Sequence, residues 1–133
     1  TELPRDLQKY VLRTPKSLIH HVIAQADLVV ADTQTIVTES AILGTPAVRC
    51  NGFVTDDDMG NFVELEKRYG MVFSFSEATK AMSKAIQLAD THNLKMEWMR
   101  KRERLLGDKI DLSDYLAAFV NGYPESKITA LNA

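Results

Sequence analysis

Leu28-Val29-Val30-Ala31 is a run of four aliphatic residues with no alternation, so a strand made from it carries apolar side chains on both faces and needs both covered. Asp32 closes the run. Asp32 and Thr33 can then cap a helix at once, because both side chains accept hydrogen bonds from the free N–H groups of a first turn. A buried strand feeding directly into a helix is the opening half of a parallel crossover.

The same alternation extends along the chain. Upstream, Leu18, Ile19, Val22, Ile23 and Ala26 recur at three- and four-residue spacings, predicting a helix over 16–26 with Ser17 near its start. Downstream of Asp32, an inward stripe of Ile36, Val37, Ser40, Ala41 and Leu43 is stopped by Gly44 and barred from continuing by Pro46. Ala47 to Cys50 is the next predicted strand, and Asn51-Gly52 opens a polar loop running through Asp56-Asp57-Asp58 to Gly60. Phe62, Val63, Leu65, Glu66 and Tyr69 predict a helix ended by Gly70, and 71–75 alternates as a strand. Ser76 caps a further helix with Ala78, Met82, Ala85, Ile86 and Ala89 inward. Near the start, Tyr10-Val11-Leu12-Arg13 predicts a fourth short strand.

Repeated helix and strand in this order predict an α/β fold, a Rossmann-like open parallel sheet flanked by helices, over residues 1–92. Residues 93–133 read as a helical extension with Leu112, Tyr115, Leu116, Phe119 and Val120 on one stripe.

Length and charge narrow the function. With 133 residues, 45% of them apolar, the chain has one domain's worth of core and no room for two complete lobes. Sixteen basic and eighteen acidic residues leave a net charge of −2, so no whole-chain field attracts nucleic acid or an anionic membrane, and an anion site has to be local. No apolar run approaches the ~20 residues that span a bilayer. Cys50 is the single cysteine and has no partner for an internal disulfide, which predicts a cytoplasmic protein. A first residue of Thr1 rather than Met predicts a processed product or a piece of a longer protein.

Open parallel sheets bind ligands beyond the carboxyl ends of their strands. The turn Asp32-Thr33-Gln34-Thr35 is the most informative of those ends, since a hydroxyl-rich turn entering a helix N-terminus suits a phosphate. Glu39 lies about one turn further on, where a carboxylate can accept hydrogen bonds from a sugar diol; the plain alternative is a helix cap and a solvated acid.

From Ala26-Asp27-Leu28-Val29-Val30-Ala31-Asp32-Thr33-Gln34-Thr35, through Glu39-Ser40-Ala41, to Leu43-Gly44-Thr45-Pro46-Ala47, the chain resembles the nucleotide-sugar segment of GT-B-type enzymes. It is most similar to UDP-N-acetylglucosamine 2-epimerases and related uncharacterised proteins. The resemblance covers about 16–86, with the spacing from Glu to Gly-x-Pro as its most specific part. It implies a UDP-sugar as substrate ligand with no separate cofactor, Thr33, Gln34 and Thr35 on the diphosphate, Glu39 on the ribose, and Arg49 just before a loop closing over the sugar. Gln34 and Thr35 stand where the family carries glycines, and side chains there obstruct close backbone approach. The resemblance also implies that catalysis needs a first lobe, and that the helical extension 93–133 packs on the same domain or on that missing first lobe, so the expectation is a C-terminal nucleotide-sugar-binding portion, incomplete alone. The competing expectation is a non-enzymatic interaction or oligomerisation module with a degenerate site.

Other candidates carry less. Asp56-Asp57-Asp58 has carboxylates suited to Mg²⁺ or Mn²⁺, but three acids in a polar loop are more often solvated, and no metal is expected. His20 and His21 are adjacent on a predicted helix and point about 100° apart, so they form no metal pair; one is expected to pack and the other to be exposed. Cys50 reads as a small buried residue. The basic segment Lys95 to Lys109 is interleaved with Trp98, Met99, Leu105 and Leu106, which favours a solvated helix with an apolar underside over a nucleic-acid contact.

Overall fold

A computed structural model describes residues 3–54 and 59–127. Two short 3₁₀ turns, Gln8–Tyr10 and Lys16–Leu18, lead into α1 (Ile19–Gln25). The chain continues as β1 (Val29–Ala31), α2 (Gln34–Ile42), β2 (Ala47–Cys50), α3 (Gly60–Val63) with a π-helical turn at Glu64–Arg68, β3 (Val72–Phe75), α4 (Ala78–Ala89), α5 (Leu94–Gly107) and α6 (Leu112–Asn121). The sheet has three parallel strands in the order β1-β2-β3, so the architecture is α/β with helices flanking an open parallel sheet.

Register assigns the faces. Val30, Val48 and Phe73 are mutual partners on one face, while Ala31, Arg49 and Ser74 line up on the other. The Phe73 ring packs against Trp98 of α5, with centroids 6.2 Å apart, and Lys84 of α4 sits over it. On the opposite face the Arg49 guanidinium lies 3.8 Å from the Phe62 ring of α3. Val37, Ala41, Ala47, Val48, Phe62, Met71, Val72 and Trp98 form the centre of the core.

Several sequence expectations need correction. Tyr10–Arg13 is not a strand: the chain makes a 3₁₀ turn ending at Tyr10 and then runs without a neighbouring strand, so local β propensity finds no ladder. β1 is an edge strand rather than one covered on both faces, and Val30 is 56% exposed. Thr33 does occupy the N-cap position of α2, but its side chain makes no capping hydrogen bond. The N-cap of α4 is Glu77 rather than Ser76. In α4 the buried residues are Ala81, Ala85 and Leu88, with Met82 and Ile86 exposed, because the smaller face lets the helix approach β2 and β3 closely. Neither histidine of the His20-His21 pair is buried. Cys50 is half-buried. The run Asp56-Asp57-Asp58 lies outside the described residues.

α5 runs across the amino edge of the sheet, because its partners are the residues just before each strand. Lys95 Nζ donates to Ala24 O (2.7 Å), Ala26 O (3.2 Å) and Thr45 Oγ1 (2.7 Å). Trp98 Nε1 donates to Met71 O and Lys101 Nζ to Gly70 O, both at 2.9 Å, and Arg102 Nε donates to Ile42 O at 2.7 Å. Cations from one helix thus satisfy orphan carbonyls at the ends of α1, α2 and the π turn, where the helix dipole also favours positive charge. The basic segment is tied inward, with Leu94, Trp98 and Leu105 as its buried underside.

Burial pushes the Lys95 ammonium below its ordinary range, partly opposed by Asp27. Lys95→Met keeps the stem and removes the donor, stranding carbonyls at the end of α1. The expected loss is about 1–3 kcal/mol of stability, read as a lower urea midpoint by Trp98 fluorescence. An unchanged midpoint would show that the ammonium does not hold this junction.

Around the π turn, Lys109 Nζ reaches both oxygens of Glu64, at 2.7 and 2.8 Å, and Arg68 joins at 3.2 Å. The hydrogen bond from Lys109, followed by the two positive charges, holds the Glu64 carboxyl below the usual carboxylate range. A depressed folded value means the stabilisation is present above the unfolded carboxylate range and is lost as pH falls through the folded one. Glu64→Gln should therefore flatten part of the acid limb of the stability profile, checked by urea midpoints at successive acidic pH values.

Candidate functional site

The carboxyl edge, opposite α5, carries most of the predicted residues. β1 ends at Ala31, and α2 begins three residues later, so Thr33, Gln34 and Thr35 stand at the sheet's edge and are all exposed. The Thr33 hydroxyl accepts nothing from the first turn of α2, so the four leading N–H groups of that helix have no help from it. Thr33 has φ −88 and ψ 140, and among the described non-glycine residues only Asn93 has positive φ. This turn therefore needs no glycine for its backbone conformation. What glycine would add is closer approach to a ligand.

Glu39 lies four residues after Thr35, on the same face of α2 and one turn deeper. It is half-buried, and its Oε2 lies 3.3 Å from Nε2 of His20, an exposed residue of α1. The structure thus gathers Thr33, Gln34, Thr35 and Glu39 along one helix and adds His20 from its neighbour.

Arg49 is placed differently. Its Cα pairs with that of Ala31 in the adjacent strand, but its side chain is only 1% exposed, under Phe62. Burial pushes the guanidinium pKa down and Glu66 opposes this; arginine stays charged throughout. Arg49 meets the site as an enclosed charge rather than an open contact.

Two participants carry no local sequence signal of their contacts. Asn51, just past β2, donates from Nδ2 to Asp32 O at 2.8 Å and accepts from Phe53 N at 3.0 Å through Oδ1. One amide therefore ties the turn after β1 to the loop after β2 and shapes an Asx turn that leaves Phe53 83% exposed. Asn51-Gly52 signalled a turn; nothing local signalled its partner 19 residues upstream. The other participant is the pairing of His20 with Glu39, also across elements.

A second cleft, of about 520 Å³, lies beyond β3 between the π turn and the start of α4, lined by Phe62, Glu66, Lys67, Ser74, Ser76 and Lys80 among others. Its charged groups include both signs, and Lys80 is paired with Glu77 at 2.6 Å. Among the described residues no three His, Cys, Asp or Glu side chains gather in a metal-binding group, and no helix is long and apolar enough to cross a membrane. Compared with known proteins, the chain matches no family model, no curated protein and no solved structure.

Proposed function

We propose that this chain is the nucleotide-sugar-binding portion of a GT-B-type glycosyltransferase or sugar epimerase, with a UDP-sugar as its ligand and a further lobe of the same polypeptide needed for turnover. The observation that carries the reading is the strip at the start of α2: an uncapped first turn at the carboxyl edge, exposed Thr33, Gln34 and Thr35, and a half-buried carboxylate at Glu39 on the Thr35 face. In this reading the first-turn N–H groups and the side chains of Thr33, Gln34 and Thr35 hold the diphosphate. Glu39 accepts from the ribose hydroxyls, and Arg49 contributes a fixed positive charge one strand away. The lone Cys50 fits a reducing cytosol.

Isothermal titration of UDP tests this. Wild-type protein should bind, and Glu39→Ala should weaken binding about 10–100-fold, the loss of hydrogen bonds to a charged acceptor. Failure of the wild-type chain to bind UDP at ~10 mM, an affinity too weak for a built site, would end the reading.

One observation favours the alternative of an interaction module without catalysis. α6 has no buried residue, and Leu112, Tyr115, Leu116 and Val120 are exposed on one stripe. Concentration-dependent self-association in sedimentation, lost in Leu116→Glu, together with no response to UDP, would select it.

A further inference from the structure

We infer that His20 is part of the ligand site as a positioning residue: it fixes the Glu39 carboxylate so that the other oxygen meets a sugar diol. The inference rests on the nucleotide-sugar reading.

Glu39 Oε2 is engaged by His20 Nε2 at 3.3 Å. The two residues belong to different helices, α1 and α2, which pack together. A glutamate on a helix surface samples several rotamers, and ordering it on binding costs free energy that a prior contact removes. With Oε2 held from α1, Oε1 retains its acceptor capacity. Glu39 lies on the face of α2 that Thr35 shares.

His20 gains a defined orientation in return. Its Nε2 faces Glu39 Oε2 across the α1–α2 contact, a polar approach of 3.3 Å. The imidazole is largely exposed, so its one role in the strip is to act on Glu39. Neither His20 nor Glu39 is needed for the core, which is centred on Val37, Val48, Phe62 and Trp98.

A pair that reads a vicinal diol should discriminate by the hydroxyls. UDP and 2′-deoxy-UDP present the same diphosphate and base but differ in one of the two groups that Glu39 would accept. Titrations of both into wild type, His20→Ala, His20→Gln, Glu39→Ala and the double variant separate the possibilities.

The expected result is that His20→Ala weakens UDP about two- to fivefold, the range for one partly exposed charged or polar pair. 2′-deoxy-UDP should be affected much less, and His20→Gln, which keeps an N–H donor, should recover part of the loss. In the Glu39→Ala background the His20→Ala effect should vanish, because its target is gone. Trp98 fluorescence reports that each variant remains folded.

UDP binding that Glu39→Ala weakens and His20→Ala leaves unchanged would overturn the inference and spare the nucleotide reading. Equal losses for UDP and 2′-deoxy-UDP, with no recovery in His20→Gln, would reduce His20 to a general structural contact and also overturn it. Absence of UDP binding to the wild type would overturn both.

Discussion

Trp98→Ala should lower the stability of the chain by about 3–5 kcal/mol, a large share of what a domain of this size possesses. The indole is 2% exposed and sits where α5 meets the sheet, packed on Phe73, with its N–H on the Met71 carbonyl and Lys101 Nζ 3.7 Å from its ring. Truncation opens a cavity under the sheet's amino edge and strands a buried carbonyl together. Because Trp98 is the single tryptophan, circular dichroism rather than fluorescence has to follow the melt. Trp98→Phe should lose less, since it keeps most of the volume and forfeits the hydrogen bond. An alanine variant within ~1 kcal/mol of wild type would mean that α5 is not part of the cooperative unit.

Gly44→Val should cost about 2–4 kcal/mol, from left-handed strain and overpacking together. Gly44 ends α2 at φ +74, a conformation that a β-branched residue rarely adopts. Space is short as well: a Cβ there would stand 2.7 Å from Met99 Sδ and 3.0 Å from Arg102 Cδ. Both side chains can shift, but Arg102 is committed to the Ile42 carbonyl, so relief for the valine disturbs the bond that ends α2. The check is the urea midpoint by Trp98 fluorescence. Wild-type stability in this variant would show that the α2–α5 approach is looser than the geometry states.

Both positions bear on what the sequence made visible. β2 and β3 were readable because glycine and proline bracket them: Gly44 and Pro46 stand before Ala47, and Gly70 before β3, with φ +59. The end of α2 followed from the same signal. Tyr10–Arg13 forms no strand because β propensity needs a partner, and among the described residues none lies beside it. α4 misled because its larger apolar residues, Met82 and Ile86, are on the outer side, while small alanines permit the close approach that buries the other face.

Within the candidate site, Thr33, Gln34, Thr35 and Glu39 were readable from spacing along one helix. Arg49 was readable as a residue and not as an environment, since only the packed α3 shows that Phe62 covers it. His20 with Glu39, and Asn51 with Asp32, join residues 19 positions apart across different elements. No periodicity within either element announces such pairs, because their proximity is set by how helices and strands dock.

The most direct measurement is amide chemical-shift mapping of the isotope-labelled chain during titration with UDP. Saturable shifts are expected at Thr33, Gln34, Thr35 and Ile36, extending to Glu39 and His20, with the amides of α5 at the opposite edge unmoved. No shifts at millimolar UDP, or shifts confined to the cleft between the π turn and α4, would contradict the nucleotide-sugar reading.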